Sequence, residues 1–207
     1  MGLSAAQLHT ALDELAQREP AFAAALARTG YPEPRIRERG YATLLRTIIG
    51  QQVSTKAAES VWRKLEGIVG VLTDPGNIAR ASDEQLREAG LSRQKASYAR
   101  SLADEVTSGR LDLDNLPIDD EQAIAALVSI KGIGRWSAEV YLLFAEGRTD
   151  IWPAGDLAVQ IEVGRILGLE TRPSEKLTRE LAEAWRPHRG AAAIFTWHHY
   201  NSDMAVV

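Results

Sequence analysis

Apolar residues recur along most of the chain at intervals of three and four, the period of helices with one buried face. Tyr41, Leu44, Leu45, Ile48 and Ile49 form one such stripe. Ala58, Val61, Trp62 and Leu65 form another, opened by Ser54 as N-cap. Ser4-x-x-Gln7 and Ser82-x-x-Gln85 have the form of capping boxes, and predict helices ending near Arg18 and Gly90. Glu19-Pro20 permits a second start that continues through Arg28. Ser92 opens a helix through Tyr98, Leu102 and Val106, and Asp119 opens one that reaches Ile130. A further helix runs from Arg135 to Ala145. Leu157, Ile161 and Gly164 begin one more face; Leu177, Leu181 and Trp185 share another until Pro187 breaks it. A last helix runs from about His188 to Tyr200. The interruptions are rich in glycine, proline and polar residues: Gly30 to Pro34, Gly50 to Ser54, Gly109 to Pro117 and Gly147 to Gly155. No alternating stretch is long enough for a convincing strand. The predicted fold class is all-α.

Length and composition narrow the classes. At 207 residues the chain fits one large domain or two small ones, with a sizeable core. No run of 18 apolar residues occurs, so no membrane span is expected. The first residues lack a basic segment followed by an apolar one, and the expected location is the cytoplasm. Cysteine is absent, which excludes disulfides, thiolate nucleophiles, cysteine-bound zinc and iron–sulfur clusters. The adjacent pair His198-His199 suggests a metal at first sight. Neighbours on a helix point about 100° apart, so two polar imidazoles on a helix is the better reading. The net charge of −4 counts against a general nucleic-acid binder, yet the charge is uneven. Residues 35–64 hold seven Lys/Arg and two acids, whereas 101–121 hold seven acids and only Arg110 as a cation. That is compatible with specific DNA contact, and equally with two differently solvated surfaces.

The chemistry concentrates in two places. Gly132-Ile133-Gly134 stands between two apolar helical runs. Glycine turns tightly there and leaves backbone N–H groups uncovered at a helix start, an arrangement that binds anions and phosphate above all. Twenty-two residues after Gly134, beyond a loop, Asp156 follows Gly155. A phosphate-binding hairpin with a single acid at this distance suggests an enzyme acting on nucleic acid. On residue type alone, the glycines also fit an ordinary αα-turn, and Asp156 also fits a plain helix N-cap.

Four segments occur in order: Ile48-Ile-Gly-Gln-Gln-Val-Ser54, Ile130-Lys-Gly-Ile-Gly-Arg-Trp-Ser-Ala138, Trp152-Pro-Ala-Gly-Asp-Leu157 and Trp185-Arg-Pro-His-Arg-Gly-Ala191. With these in view the chain resembles the helix-hairpin-helix DNA glycosylases, in particular the 3-methyladenine DNA glycosylase II type. The resemblance implies two helical subdomains flanking a cleft. One would comprise residues 41–146, with the hairpin at about 122–145; the other would combine 1–40 with 147–207 and carry Asp156.

By resemblance, Asp156 is the catalytic carboxylate, stabilising positive charge on the deoxyribose as the glycosidic bond breaks. Trp136, Trp197 and Gln51 would line a base pocket, where an indole face attracts a cationic alkylated base. For both tryptophans, burial against the core is an open alternative on sequence grounds, and Gln51 could instead cap backbone groups. The family position of the wedge that enters the stack falls on Gln52. Gly132, Gly134, Ser137 and Lys131 would hold a DNA phosphate. The carbonyls of Val128, Ile130 and Ile133 match a monovalent-cation site of the family; no other cofactor and no iron–sulfur cluster is implied. Relatives that also cut the strand carry a lysine where Trp136 stands, so no lyase activity is expected. Relatives pair the second aromatic wall with a tyrosine, where this chain has Val140 with Tyr141 beside it. Arg186 and Arg189 are read as structural ion pairs.

The expected function is therefore monofunctional excision of alkylated bases, of the 3-methyladenine and 7-methylguanine type, from double-stranded DNA by a nucleoid-associated, membrane-free monomer. A non-catalytic duplex-binding module, or a glycosylase of the same fold for deaminated or etheno purines, are the alternatives.

Overall fold

The computed structural model describes residues 2–204. Among the described residues there are helices, turns and loops and no strand. In chain order the α-helices are α1 (Ala5–Arg18), α2 (Pro20–Thr29), α3 (Tyr41–Gly50), α4 (Thr55–Val69), α5 (Pro75–Arg80), α6 (Asp83–Glu88), α7 (Arg93–Thr107), α8 (Asp120–Val128), α9 (Arg135–Tyr141), α10 (Leu157–Ile166), α11 (Glu175–Leu181) and α12 (Arg189–Met204). None of them is long and apolar enough to cross a membrane.

The caps act where their residue types predict. Ser4 and Ser82 each close a full capping box with Gln7 and Gln85. Ser54, Ser92 and Asp119 accept from the third helical amides of α4, α7 and α8. One element escapes this signal. Asp74-Pro75-Gly76 has the composition of a turn, but Asp74 Oδ1 accepts from Gly76 N at 2.8 Å and Pro75 sits at the first helical position, so α5 begins there.

The chain divides into two compact units, Glu38–Tyr141 and the combination of Met1–Arg37 with Leu142–Val207. Against the expected 41–146, the central unit begins three residues earlier and ends five earlier. The second limit falls where α9 gives way to a π-helical turn, Leu142–Glu146, in place of the α-helix expected as far as Ala145. The turn's own contacts explain the boundary. Phe144 packs on Trp197, and the Phe144 carbonyl accepts from Arg37 N at 2.9 Å. All of these residues belong to the outer unit.

In the central unit α3 packs on α4 and α7, α5 and α6 lie on α7, and α8 and α9 form the hairpin. Its core is the predicted stripe: Leu44, Leu45, Ile48 and Leu65 are fully buried, joined by Leu72, Ile78, Leu86 and Leu102. In the outer unit α12 packs on α1 and α10. An aromatic chain runs through it: Trp152 meets Trp185 edge-on at 5.3 Å, Trp185 meets Phe22 at 4.9 Å, and Phe22 meets Phe195 at 5.8 Å.

Two faces differ from the predicted ones. Leu157 and Leu177 are exposed, at 55% and 41%. In α10 the buried residues are Val159, Gln160, Glu162, Val163 and Gly164. Gln160 turns inward because its amide donates to the Ala154 carbonyl at 2.7 Å, and Glu162 because His199 Nδ1 lies 2.5 Å away and Arg165 pairs with it at 2.7 Å. Satisfied polar groups occupy positions that an apolar pattern assigns to hydrophobes. After α11 a 3-10 turn, Ala182–Trp185, changes the period, and this takes Leu177 off the face that buries Trp185.

Candidate functional site

The hairpin of the central unit is anchored by two apolar side chains. Ile130 and Ile133 are buried, and Ile133 N donates back to the Ile130 carbonyl at 3.1 Å. Between them Gly132 has φ 86°, in the left-handed region. A Cβ on Gly132 would come within 2.2 Å of the Tyr98 ring, so space as well as backbone conformation demands glycine. Gly134 is different: it is exposed, and a Cβ there would meet nothing within 4 Å. Its missing side chain leaves the entry to α9 open. Lys131 is exposed, and its backbone amide donates to Ser101 Oγ at 3.2 Å. Trp136, one residue into α9, is 47% exposed, and Ser137 is half-buried. Arg135 is committed elsewhere: it pairs with Glu121 at 2.5 Å and with buried Glu139 at 2.9 Å. These contacts, Glu121's foremost, hold its guanidinium above the usual arginine range. Of the carbonyls matched to a cation, that of Ile130 already accepts one hydrogen bond, which leaves it one lone pair.

The segment after α3 lies against this hairpin within the same unit. Gln51 Nε2 donates to the Gly132 carbonyl at 2.7 Å. Of the two roles open to Gln51, capping a backbone group is the contact seen. Gln52 is exposed and has φ 55°, which no other non-glycine among the described residues matches in sign. Lys95 Nζ donates to the Ile49 carbonyl at 2.7 Å.

In the outer unit the loop leading to Asp156 is packed rather than loose. Ile151, Trp152 and Ala154 are buried, and Trp152 Nε1 donates to the Thr178 carbonyl at 3.0 Å. Asp156 N donates to the Pro153 carbonyl at 2.9 Å. Asp156 is the N-cap of α10, its Oδ1 accepting from Val159 N at 3.0 Å. The same oxygen accepts from Trp197 Nε1 at 3.2 Å. The half-buried carboxylate is thus fixed by a helix start and by an indole 41 residues away. The Trp197 ring lies 5.6 Å from that of Phe144, tilted by 30°, and the Arg37 guanidinium stands 5.7 Å over Phe144. The outer unit so brings Asp156 and Trp197 together and adds Phe144 and Arg37, which the sequence did not single out. Phe144 has no marker beyond its place in an apolar run. Tyr141 is buried and accepts from Gly40 N at 2.8 Å, and Val140 is buried too.

No group of three or more His, Cys, Asp or Glu among the described residues is placed to hold a metal. His198 and His199 diverge as the helix requires: His198 Nε2 pairs with the Thr29 carbonyl at 2.9 Å, and His199 with Glu162 and Arg28. Arg189 binds Asp150 through two nitrogens at 2.9 Å and also Glu183, and Arg186 shares both acids, as ion pairs that close the 149–190 region.

Comparison with known proteins adds to this geometry. Residues 45–187 match the model of the HhH-GPD superfamily base excision DNA repair proteins. The DNA-3-methyladenine glycosylase 1 of Schizosaccharomyces pombe is 30% identical over 161 residues, which is 76% of this chain and 71% of that protein. A solved 3-methyladenine DNA glycosylase from the same yeast, in complex with abasic DNA, superposes with a TM-score of 0.77 at 27% identity, covering 94% of this chain and 97% of that one. A DNA-3-methyladenine glycosidase of Bacillus halodurans gives 0.79 at 29% identity, covering 90% and 92%.

Proposed function

Because the chain belongs to the HhH-GPD superfamily of base excision DNA repair proteins, we propose that it is a monofunctional DNA glycosylase that hydrolyses the N-glycosidic bond of alkylated bases in duplex DNA. The observation that carries this is the half-buried Asp156 carboxylate, held on one oxygen by the α10 amide and the Trp197 indole. Alkylation at a ring nitrogen makes the base cationic and a good leaving group. When the bond breaks, its electron pair neutralises the departing base and positive charge builds on the sugar. Asp156 stabilises that charge, and it orients and deprotonates the water that adds to C1′. An abasic site and a free base are the products. Trp197, backed by Phe144, offers its face to the extruded cation, and exposed Trp136 offers a second indole to bound DNA.

The hairpin supplies the grip. Amides at Gly132 and Gly134, the Ser137 hydroxyl and the Lys131 ammonium hold one phosphate, contacts that position DNA without reading its sequence. A monovalent cation on the carbonyls of Val128, Ile130 and Ile133 would add positive charge beside it. Gln52 enters the stack that the extruded nucleotide leaves. Trp136 carries no amine, so no Schiff base forms there and the strand stays intact. The protein acts as a monomer, on the nucleoid.

The test is release of free base from methylated duplex DNA by the wild type and by Asp156→Asn, read chromatographically. Asparagine caps a helix about as well as aspartate, so α10 stays formed while the charge is lost. The variant should release base at least about a hundredfold more slowly, the scale of losing one electrostatic contact to a transition state. Equal rates would remove Asp156 from the chemistry, and binding without release by both proteins would leave a duplex-binding module. Borohydride should trap no covalent adduct with the wild type.

A further inference from the structure

The loop after α3 and the hairpin are fastened to each other and to a single helix. The carbonyl of Ile49, one of the four at the end of α3 without an intrahelical partner, is taken by Lys95 Nζ at 2.7 Å. An ammonium there also meets the negative end of the helix dipole. Two residues on, Gln51 Nε2 binds the Gly132 carbonyl at 2.7 Å. Gly132 is itself pressed against the ring of Tyr98, whose hydroxyl accepts from Gln94 Nε2 at 2.5 Å. Lys95 and Tyr98 stand three apart on α7, so they share one face. That face therefore touches both segments. Directly after the second tether comes Gln52 in a left-handed conformation, which a side-chain-bearing residue keeps only where its surroundings impose it.

We propose that Lys95 is a positioning residue that presets Gln52 for entry into a DNA duplex, and that Gln51 couples this wedge to the phosphate-gripping hairpin so that the two meet DNA as one preassembled element. This rests on the assignment of Gln52 as the wedge. The physical reason is that taking a phosphate at residues 132–134 then fixes where the Gln52 side chain meets the base stack, with no loop to order at the moment of extrusion. A single strand presents no paired stack to open, so excision from it should not need the brace.

The experiment compares the wild type, Lys95→Met and Lys95→Arg on one methylated oligonucleotide, single-stranded and as a duplex, under single-turnover conditions. A parallel measurement uses a duplex with 2-aminopurine beside an abasic analogue, whose fluorescence rises when the wedge unstacks it, with binding followed by anisotropy. Lys95→Met should slow duplex excision at least about tenfold, because part of the unstacking cost is no longer offset. Its single-strand rate should stay within about twofold of wild type, as for a residue outside the transition state. It should bind the duplex without the fluorescence rise, and Lys95→Arg, which keeps a donor, should recover most of both signals. Equal slowing on both substrates, no slowing, or an undiminished fluorescence rise would overturn the proposal. If the wild type releases base from neither substrate, the glycosylase reading fails, and the fluorescence arm still decides the role of Lys95. Should Lys95→Met lose its helical circular dichroism, Gln51→Ala breaks the other tether and decides by the fluorescence and anisotropy arm alone: binding without the rise supports the coupling, and an undiminished rise overturns it.

Discussion

Gly132 and Gly134 stand two apart in one hairpin and do different jobs. Gly132 is held at φ 86° with the Tyr98 ring where a Cβ would be. Gly132→Ala combines a strained backbone with overpacking, and should cost about 2–4 kcal/mol in a denaturant titration. Gly134 has open space where its Cβ would stand. Gly134→Ala should change stability by less than about 0.5 kcal/mol, yet weaken binding to duplex DNA by covering the amides at the start of α9. Equal stability losses in the two variants would show that the hairpin does not discriminate them as described. Asp156 shows the same economy at one residue: a single oxygen caps α10 and accepts from Trp197, so the cap and the candidate catalytic group are one carboxylate.

At the level of elements, α3 carries an expense at its start. Tyr41 is buried, and its hydroxyl has no hydrogen-bond partner in the protein. Burial, with Asp74 adding to it, pushes the phenol well above its ordinary range. Tyr41→Phe removes an unsatisfied polar group while keeping the ring, and should stabilise the protein by about 1 kcal/mol. The unfolded phenol ionises near pH 10, while the folded one stays neutral. The stability tied to the neutral phenol is present below pH 10 and declines as pH rises beyond it. Wild-type stability should therefore fall more steeply above pH 10 than that of Tyr41→Phe, measured by urea unfolding at pH 8 and pH 11. The π turn at Leu142–Glu146 is the other element with consequences, since it sets Phe144 against Trp197. Nothing in the run Tyr-Leu-Leu-Phe distinguishes an α-turn from a π-turn. The difference is one hydrogen-bond register, and it is decided by what packs around it.

For the whole molecule the charge is balanced against general DNA affinity. The central unit, residues 38–141, holds 13 Lys/Arg and 15 Asp/Glu, leaving −2; the remaining 11 and 13 give the outer unit −2 as well. If the proposed hairpin grip holds, binding should depend on a few local contacts there more than on net charge. The logarithm of duplex affinity should fall against the logarithm of salt with a slope no steeper than about −4, at about −0.9 per phosphate neutralised. A slope near −8 would reveal an extended phosphate track that the charge distribution does not suggest.

What the sequence determined is local. Caps and apolar stripes specify most of the helices, because a capping hydroxyl or a 3.6-residue period acts within a turn or two. The glycine turn and the acid behind Gly155 are legible for the same reason: a bare amide and a carboxylate are properties of the residue itself. The tertiary structure decided what those groups touch. Asp156 meets Trp197 across 41 positions, and Gln51 meets Gly132 across 81. Gln160 and Glu162 turn inward only because Ala154, His199 and Arg165 are there to satisfy them. Such pairings depend on which surfaces are brought together when apolar area leaves water, a collective outcome that no short stretch of chain encodes.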